Sequence, residues 1–119
     1  MKIAIPAVDR QPTSTIDARF GRASWFLVYD TESQTWDAIE NAPNLQAQQG
    51  AGIQSSETLV QHGVTVLLTP HCGPKAFRVL QTAGVTVYLG VTGTVSDALT
   101  AYQNGNLHPA ASADVEGHW

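Results

Sequence analysis

The chain has few charges and almost no sulfur. Its 119 residues include one cysteine and one methionine, with six Lys and Arg against ten Asp and Glu. A single cysteine excludes an internal disulfide framework, and the shortage of cations argues against general nucleic-acid binding. No apolar run approaches the roughly 18 residues that span a membrane. The start at Met1–Ile3 lacks the apolar core of a signal peptide, so we expect a cytoplasmic protein without a membrane partner.

The periodicity of apolar residues predicts an α/β fold with a mixed sheet of about five strands. One domain is expected over residues 1–107, followed by a flexible tail over 108–119, and a mobile loop is expected over 41–52. The two glycine-containing loops at 70–74 and 90–93 should open onto one edge of the sheet, because each follows a parallel strand. The predicted strands are 2–8, 25–30, 35–40, 64–68 and 85–89, and the predicted helices run from Gly52 to His62, from Pro74 to a cap at Gly84, and from an N-cap at Thr94 to Gly105.

The loop after the fourth predicted strand carries the only cysteine. Pro70 ends the strand and Pro74 suits the first turn of the next helix. The free N–H groups and the dipole of this helix favour an anion, and Lys75 adds a full positive charge. The same field should lower the pKa of the Cys72 thiol, and a thiolate beside His71 suits a soft metal such as Cu(I). The alternative is that Cys72 is a small buried apolar residue and His71 an ordinary loop residue.

Four of the six basic residues fall in two short segments. Arg19 and Arg22 lie in RFGRA, and Lys75 and Arg78 lie in GPKAFR. If the two segments meet, they form a positive site on an acidic protein. The alternative is that Arg19 and Arg78 each pair with a surface carboxylate.

Several short motifs occur in a characteristic order over about residues 1–107: FGRA, GAGIQ, GP before an alanine at a helix start, AGV-VY-G, and a final helix that ends in G-L. In this order they resemble the dinitrogenase iron–molybdenum cofactor biosynthesis family, which includes nitrogenase accessory proteins and proteins of the molybdenum–copper orange type. The resemblance implies a ribonuclease H-like three-layer sandwich. It also implies a protein that carries or delivers a preformed metal–sulfur cluster and is not an enzyme.

The chain departs from this family at two places. Many relatives have histidine where this chain has Arg19, and many place a histidine in the loop that here contains Gln46–Gln49. In exchange, the GP loop of this chain carries His71 and Cys72. These departures favour an anionic molybdenum–copper–sulfide cluster of the orange-protein type, with an iron–molybdenum or iron–sulfur cluster as the alternative cofactor.

We therefore expect a basic site with apolar walls, in which Phe20, Pro70 and Phe77 exclude water from a noncovalently held cluster. The expected partners are the inorganic cluster and a protein acceptor of unknown identity. The candidate cluster-binding residues are Arg19, Phe20, Gly21, Arg22, Gly50, Gly52, Pro70, Gly73, Pro74, Lys75, Thr92 and Gly93, and the candidate metal ligands are His71 and Cys72.

Three other classes of function compete with cluster binding. A ribonuclease H-like nuclease would need carboxylates that converge on Mg²⁺, for which Asp9, Asp17, Asp30 and Asp37 are available. A thiol enzyme would use Cys72, but no second cysteine and no obvious carboxylate to orient His71 are apparent. A regulatory domain with an empty site is the third alternative.

Overall fold

A computed structural model describes residues 1–41 and 50–114 of the chain. It confirms the α/β class and the mixed five-stranded sheet. The predicted order of strands and helices is also confirmed, although most element bounds differ by one or two residues. The elements are β1 (Lys2–Ala7), a 3₁₀ turn (Phe20–Arg22), β2 (Trp25–Asp30), β3 (Thr35–Glu40), α1 (Ala51–Gln61), β4 (Val64–Leu68), α2 (Pro74–Thr82), β5 (Thr86–Tyr88) and α3 (Val95–Gln103).

The sheet has the strand order β3-β2-β1-β4-β5. Strands β1, β4 and β5 are parallel, whereas β2 runs antiparallel to both β1 and β3. Ala7 at the end of β1 pairs with Trp25, and Trp25 pairs with Glu40 at the end of β3. The carboxyl ends of β1, β3, β4 and β5 therefore lie at one edge of the sheet, together with the 3₁₀ turn before β2. We call this edge the carboxyl edge.

Apolar side chains pack on both faces of the sheet. On one face the core includes Leu59 of α1 and Phe77 of α2, and on the other it includes Leu99 of α3. Successive residues of β1 alternate between these cores, with Ala4 on the first side and Ile5 on the second, as the period of a strand requires. No helix of the described residues is long and apolar enough to cross a membrane.

The buried face of α1 differs from the one that its large apolar residues predict. Val60, which was expected to be buried, is 37% exposed, and Ile53 is only half-buried. Ser55 and Ser56 are fully buried instead. The hydroxyl of Ser56 donates to the carbonyl oxygen of Gly52 at 2.7 Å, so its burial leaves no hydroxyl unsatisfied. Small hydrogen-bonded residues occupy this face because the 3₁₀ turn packs closely against it.

Asn41 ties three elements together at the carboxyl edge. Its fully buried side-chain amide donates to the carbonyl oxygens of Ala23 at 2.8 Å and Gly21 at 3.4 Å. Its side-chain oxygen accepts from the hydroxyl of Ser55 at 3.1 Å. The end of β3, the 3₁₀ turn and α1 are thus joined by one polar cluster. The prediction of a mobile loop is therefore wrong for its first residue, Asn41. Residues 42–49 of this loop lie outside the described residues.

The segment after α3 also differs from the prediction, which was a flexible tail without a clear sequence pattern. Pro109 forms an antiparallel bridge with Tyr88, and the N–H of Ala110 donates to the carbonyl oxygen of Val87 at 2.7 Å. This segment therefore pairs with β5 at the edge of the sheet. Residues 115–119 of the predicted tail lie outside the described residues.

We predict that Asn41→Ala lowers the free energy of unfolding by about 2 kcal/mol, because it leaves the Ala23 carbonyl oxygen without its donor and the Ser55 hydroxyl with only its longer bond to the Gly21 carbonyl oxygen at 3.4 Å. Urea denaturation measures this change. Asn106→Ala, at an exposed asparagine, is the matched control and should change stability by less than about 0.5 kcal/mol. Equal stability of the two variants would show that the polar cluster around Asn41 does not hold the carboxyl edge together.

Candidate functional site

The helices α1 and α2 both begin at the carboxyl edge without a side-chain cap. In α2, Pro74 has no N–H, and the N–H groups of Lys75 and Ala76 lack a hydrogen-bond partner within the described part of the chain. The same holds for the N–H groups of Gly52 and Ile53 in the first turn of α1. Unpaired N–H groups give a helix N-terminus a partial positive charge. Two such ends therefore face the same edge of the protein, and the two helices pack against each other.

The predicted glycines at these helix starts serve different purposes. Gly50 precedes α1 with a φ of 78°, a left-handed conformation that favours glycine, and it is exposed. Gly73 precedes α2 in an extended conformation and is buried. Pro74 and Lys75 follow it on the surface, as predicted for the first turn of a helix. At both helix starts the backbone thus leaves N–H groups without a partner among residues 1–41 and 50–114.

The third helix differs because the chain itself closes its N-terminus. The N–H groups of Val95 and Ser96 donate to the carbonyl oxygens of Ser14 at 3.0 Å and Pro12 at 2.9 Å. These carbonyls occupy the positions that an anion would need. The loop before α3 is therefore built differently from the loop before α2, although both follow parallel strands.

Side-chain capping completes the closure of α3. Thr94 and Asp97 form the predicted capping box, with hydrogen bonds of 3.0 and 3.1 Å. The hydrogen bond from the Thr94 N–H holds the pKa of the Asp97 carboxyl below its usual value. The predicted site residues Thr92 and Gly93 lie just before this box, and the Gly93 carbonyl accepts from the Ile16 N–H at 3.1 Å. Thr92 and Gly93 thus lie in the capped turn before α3. They do not lie beside the N–H groups at the starts of α1 and α2.

The 3₁₀ turn lies in close backbone contact with the start of α1. A Cβ atom added to Gly21 would lie 2.6 Å from the nitrogen and 2.8 Å from the Cα of Gly52. Only glycine fits at position 21 without a backbone shift. The sequence predicted Gly21 and Gly52 as site residues, and the structure brings them together.

The two arginines of this turn have different surroundings. The Nε of Arg19 lies 3.5 Å from Oδ1 of Asp17, a carboxylate that is only 6% exposed, and the backbone N–H of Arg19 donates to the same oxygen at 2.9 Å. Arg19 therefore pairs with a carboxylate, which was the alternative to its role in a positive site. Arg22, Lys75 and Arg78 have no ion-pair partner within residues 1–41 and 50–114. The available positive charge of the region thus comes from Arg22 and the start of α2.

The expected apolar walls lie deeper than predicted. Phe20 is 1% exposed with its ring centroid 5.3 Å from that of Phe26, and Phe77 is also buried. Both phenylalanines belong to the core beneath the carboxyl edge, so they do not line an open site. Pro70 is half-buried, and its carbonyl accepts from the Gly90 N–H at 3.0 Å, which joins the two predicted loops.

The prediction of an acidic, reactive thiol at Cys72 is wrong. Cys72 is 0% exposed and packs in the same core cluster as Phe77 and Leu80. Burial, with a smaller contribution from the charge of Asp114, raises the pKa of the Cys72 thiol to about 12. The side chain points into the core and not toward the open N–H groups, so desolvation of the thiolate outweighs the helix field. This is the alternative in which Cys72 is a small buried apolar residue.

A carboxylate that the sequence did not reveal lies beside His71. Oδ2 of Asp114 is 3.0 Å from Nδ1 of His71, and Oδ1 accepts from the N–H of Cys72 at 2.9 Å. The expectation that no carboxylate orients His71 is therefore wrong. Asp114 lies 43 residues from His71 in a segment without periodicity, and no local signal could have found it.

A cage of metal ligands is not found in the described part of the chain. No three His, Cys, Asp or Glu side chains come together there in a group that could hold a metal ion. The converging carboxylates of the nuclease alternative are likewise not found among residues 1–41 and 50–114. The described residues offer backbone N–H groups and cations without an ion pair, and groups of these types favour an anion over a metal cation.

Comparisons with known proteins agree with the motifs. The family described as "Dinitrogenase iron-molybdenum cofactor" matches residues 1–105. The apo form of the orange protein from Desulfovibrio gigas is similar with a TM-score of 0.93 and 35% identity, and the match covers 96% of each chain. A putative NifB protein from Thermotoga matches with a TM-score of 0.84 and 36% identity over 98% of each chain. An uncharacterized protein of Methanocaldococcus jannaschii is 26% identical over 110 residues, 90% of this chain and 89% of that relative. The resemblance seen in the sequence is confirmed, and the chain belongs to the dinitrogenase iron–molybdenum cofactor family.

Proposed function

We propose that the chain binds and carries an anionic metal–sulfur cluster of the molybdenum–copper–sulfide type, held noncovalently at the carboxyl edge. Its family and the similar proteins indicate a cofactor-related accessory protein, which is the general part of this function. The specific cluster is our inference. The observation that carries it is a pair of helix N-termini whose N–H groups, like the cations beside them, have no partner among residues 1–41 and 50–114, in contrast to the closed N-terminus of α3.

The electrostatics of the carboxyl edge favour an anion over a bare metal ion. The chain has a formal net charge of −4, yet Arg22 and Lys75 lie near the two open helix starts without ion-pair partners among the described residues. At a separation of about 5 Å and an effective dielectric constant of about 20, one such cation attracts a unit negative charge by about 3 kcal/mol. The partial charges of two helix ends add to this attraction. A metal cation would be repelled by the same groups.

The N–H groups of Gly52, Ile53, Lys75 and Ala76 provide the short-range part of recognition. Hydrogen bonds to charged acceptors contribute about 1.5–3 kcal/mol each, more than bonds between neutral groups. The terminal sulfur or oxygen atoms of a molybdenum–copper–sulfide cluster are acceptors of this kind. The cluster is thus cargo that the protein recognises through its outer atoms.

The position of Cys72 argues against a covalent bond between the protein and the cluster. A buried thiol with a raised pKa is a poor source of the thiolate that copper binds. His71 is 42% exposed but directs Nδ1 at Asp114. The proposed site therefore includes the backbone around His71 and Cys72 and does not use their side chains as metal ligands.

The related candidate is an iron–molybdenum cluster, which the name of the family favours. The same open N–H groups would serve an iron–molybdenum cluster that carries a negative charge. We also propose that the protein transfers its cluster to a protein acceptor. The assignment of the fold as ribonuclease H-like is a proposal as well. The fold assignment is supported by a mixed sheet with helices on both faces.

We predict that Lys75→Ala and Arg22→Ala each weaken binding of a copper–tetrathiomolybdate species by about tenfold at low ionic strength, because each removes one attractive charge, of which solvent screening leaves about 1.4 kcal/mol. The loss should shrink at high salt, where charges are screened. Visible absorption after equilibrium dialysis measures the binding.

The matched control for these variants is Lys2→Ala. Lys2 begins β1 at the opposite edge of the sheet, so this variant changes the net charge equally without touching the carboxyl edge. Its affinity should equal that of the wild type. Wild-type affinity in both the Lys75 and Arg22 variants would contradict the proposed site.

We further predict that Cys72 reacts slowly with iodoacetamide at pH 8 in the native protein and rapidly in urea, since burial and a pKa of about 12 keep the thiol covered and protonated. Mass spectrometry follows the modification. Cys72→Ala should lower stability by about 1 kcal/mol and leave the affinity for copper–tetrathiomolybdate within about twofold of the wild type. Complete loss of binding in a folded Cys72→Ala protein would show instead that the thiolate is a copper ligand.

A further inference from the structure

The segment that follows α3 crosses from the outer edge of the sheet to the start of α2. It is anchored on β5 by the bridge between Pro109 and Tyr88 and by the hydrogen bond from Ala110 to the Val87 carbonyl. Four residues later it reaches the loop after β4, where the Asp114 N–H lies 3.3 Å from the carbonyl oxygen of Cys72. We call residues 109–114 the strap.

The strap ends with a carboxylate at the N-terminal side of α2. Both oxygens of Asp114 are engaged, one by the backbone N–H of Cys72 at 2.9 Å and the other by Nδ1 of His71 at 3.0 Å. Cys72 lies two residues before Pro74, the first residue of the helix. A negative charge of the chain itself thus lies beside the N-terminus of α2, on the loop residue Cys72 and not on the N–H groups of Lys75 and Ala76.

The contacts that hold the end of the strap can be exchanged for others at little cost. The side chain of Asp114 is 34% exposed, so water can take over its hydrogen bonds. Between the anchor and Asp114, only the partly buried Ala113 packs against the core. An anion bound to the N–H groups of Lys75 and Ala76 would be repelled by the Asp114 carboxylate nearby.

We propose that the strap is an autoinhibitory element, in which the Asp114 carboxylate holds the Cys72 N–H and repels a second anion from the neighbouring N–H groups of Lys75 and Ala76 until an anionic ligand displaces it. This inference rests on the proposed anion-binding function of the carboxyl edge. The anchor at Pro109 and Ala110 stays on β5 during the exchange, and residues 111–114 move away from the loop. The displaced carboxylate frees the Cys72 N–H, which becomes a further donor for the ligand.

The test compares the binding of two tetrahedral dianions, tetrathiomolybdate and sulfate, to full-length variants. Asp114→Asn removes the charge with nearly unchanged shape, and Asp114→Ala also removes the acceptor. Both variants should bind each dianion about tenfold more tightly than the wild type, the effect of removing one competing charged hydrogen bond. Glu32→Gln is the matched control, since Glu32 is exposed in the turn between β2 and β3 at the opposite edge, and its affinities should equal those of the wild type.

An independent readout is the amide ¹H–¹⁵N spectrum of the wild type during titration with tetrathiomolybdate. The Cys72 amide should shift as it exchanges Asp114 for the ligand, while the Ala110 amide keeps its position because its bond to Val87 persists. Wild-type affinities in both Asp114 variants, with an unmoved Cys72 amide, would overturn the strap proposal and leave cluster binding intact. Tighter sulfate binding without any binding of tetrathiomolybdate would support the strap and overturn the thiomolybdate-type cargo. Failure of every variant to bind either dianion would overturn both.

Discussion

The close backbone contact between Gly21 and the first turn of α1 determines the layout of the carboxyl edge. A Cβ at position 21 would lie within 3 Å of Gly52, so the turn can approach the helix only because glycine is present. Asn41 and Ser55 then hold this arrangement with buried hydrogen bonds. The contact places Arg22 near a helix start whose first N–H groups have no partner among the described residues. The packing of small residues and the electrostatics of the site therefore both depend on the close contact between Gly21 and Gly52.

Three helices begin at the same edge of the sheet, and within the described residues two of them leave N–H groups of the first turn without a partner. Carbonyl oxygens of Ser14 and Pro12 close α3, whereas α1 and α2 have no such cap in the described part of the chain. Asp114 supplies a negative charge beside α2 from a distant part of the sequence. In our proposal, an acidic protein thus presents a local positive site and regulates access to it with its own carboxylate. Burial of Cys72 fits this arrangement, since noncovalent binding needs no thiolate.

Features that depend on neighbouring residues could be predicted from the sequence. The buried strand Val64–Leu68 and the capping box of Thr94 and Asp97 follow from local patterns, and both are present. Features that depend on long-range contacts could not be predicted. Asp114 reaches across 42 residues to the Cys72 N–H, and the orientation of the Cys72 side chain into the core reversed the expected pKa shift. The cations and glycines of the site could be found from the sequence, because these residue types alone suggest anion binding. The residues that contact them in the fold could not be found in this way.

The central claim is that the protein carries molybdenum and copper together in a sulfide-bridged anion without a protein thiolate. The most direct measurement is the metal content and visible absorption of Cys72→Ala protein, purified anaerobically from cells supplied with molybdate and copper. We predict that molybdenum and copper copurify with this variant in the same ratio as with the wild type, that both proteins show the same visible absorption band, and that high salt removes both metals. Two results would contradict the account. One is that the variant and the wild type are both colourless and free of molybdenum, and the other is that only the wild type retains the metals.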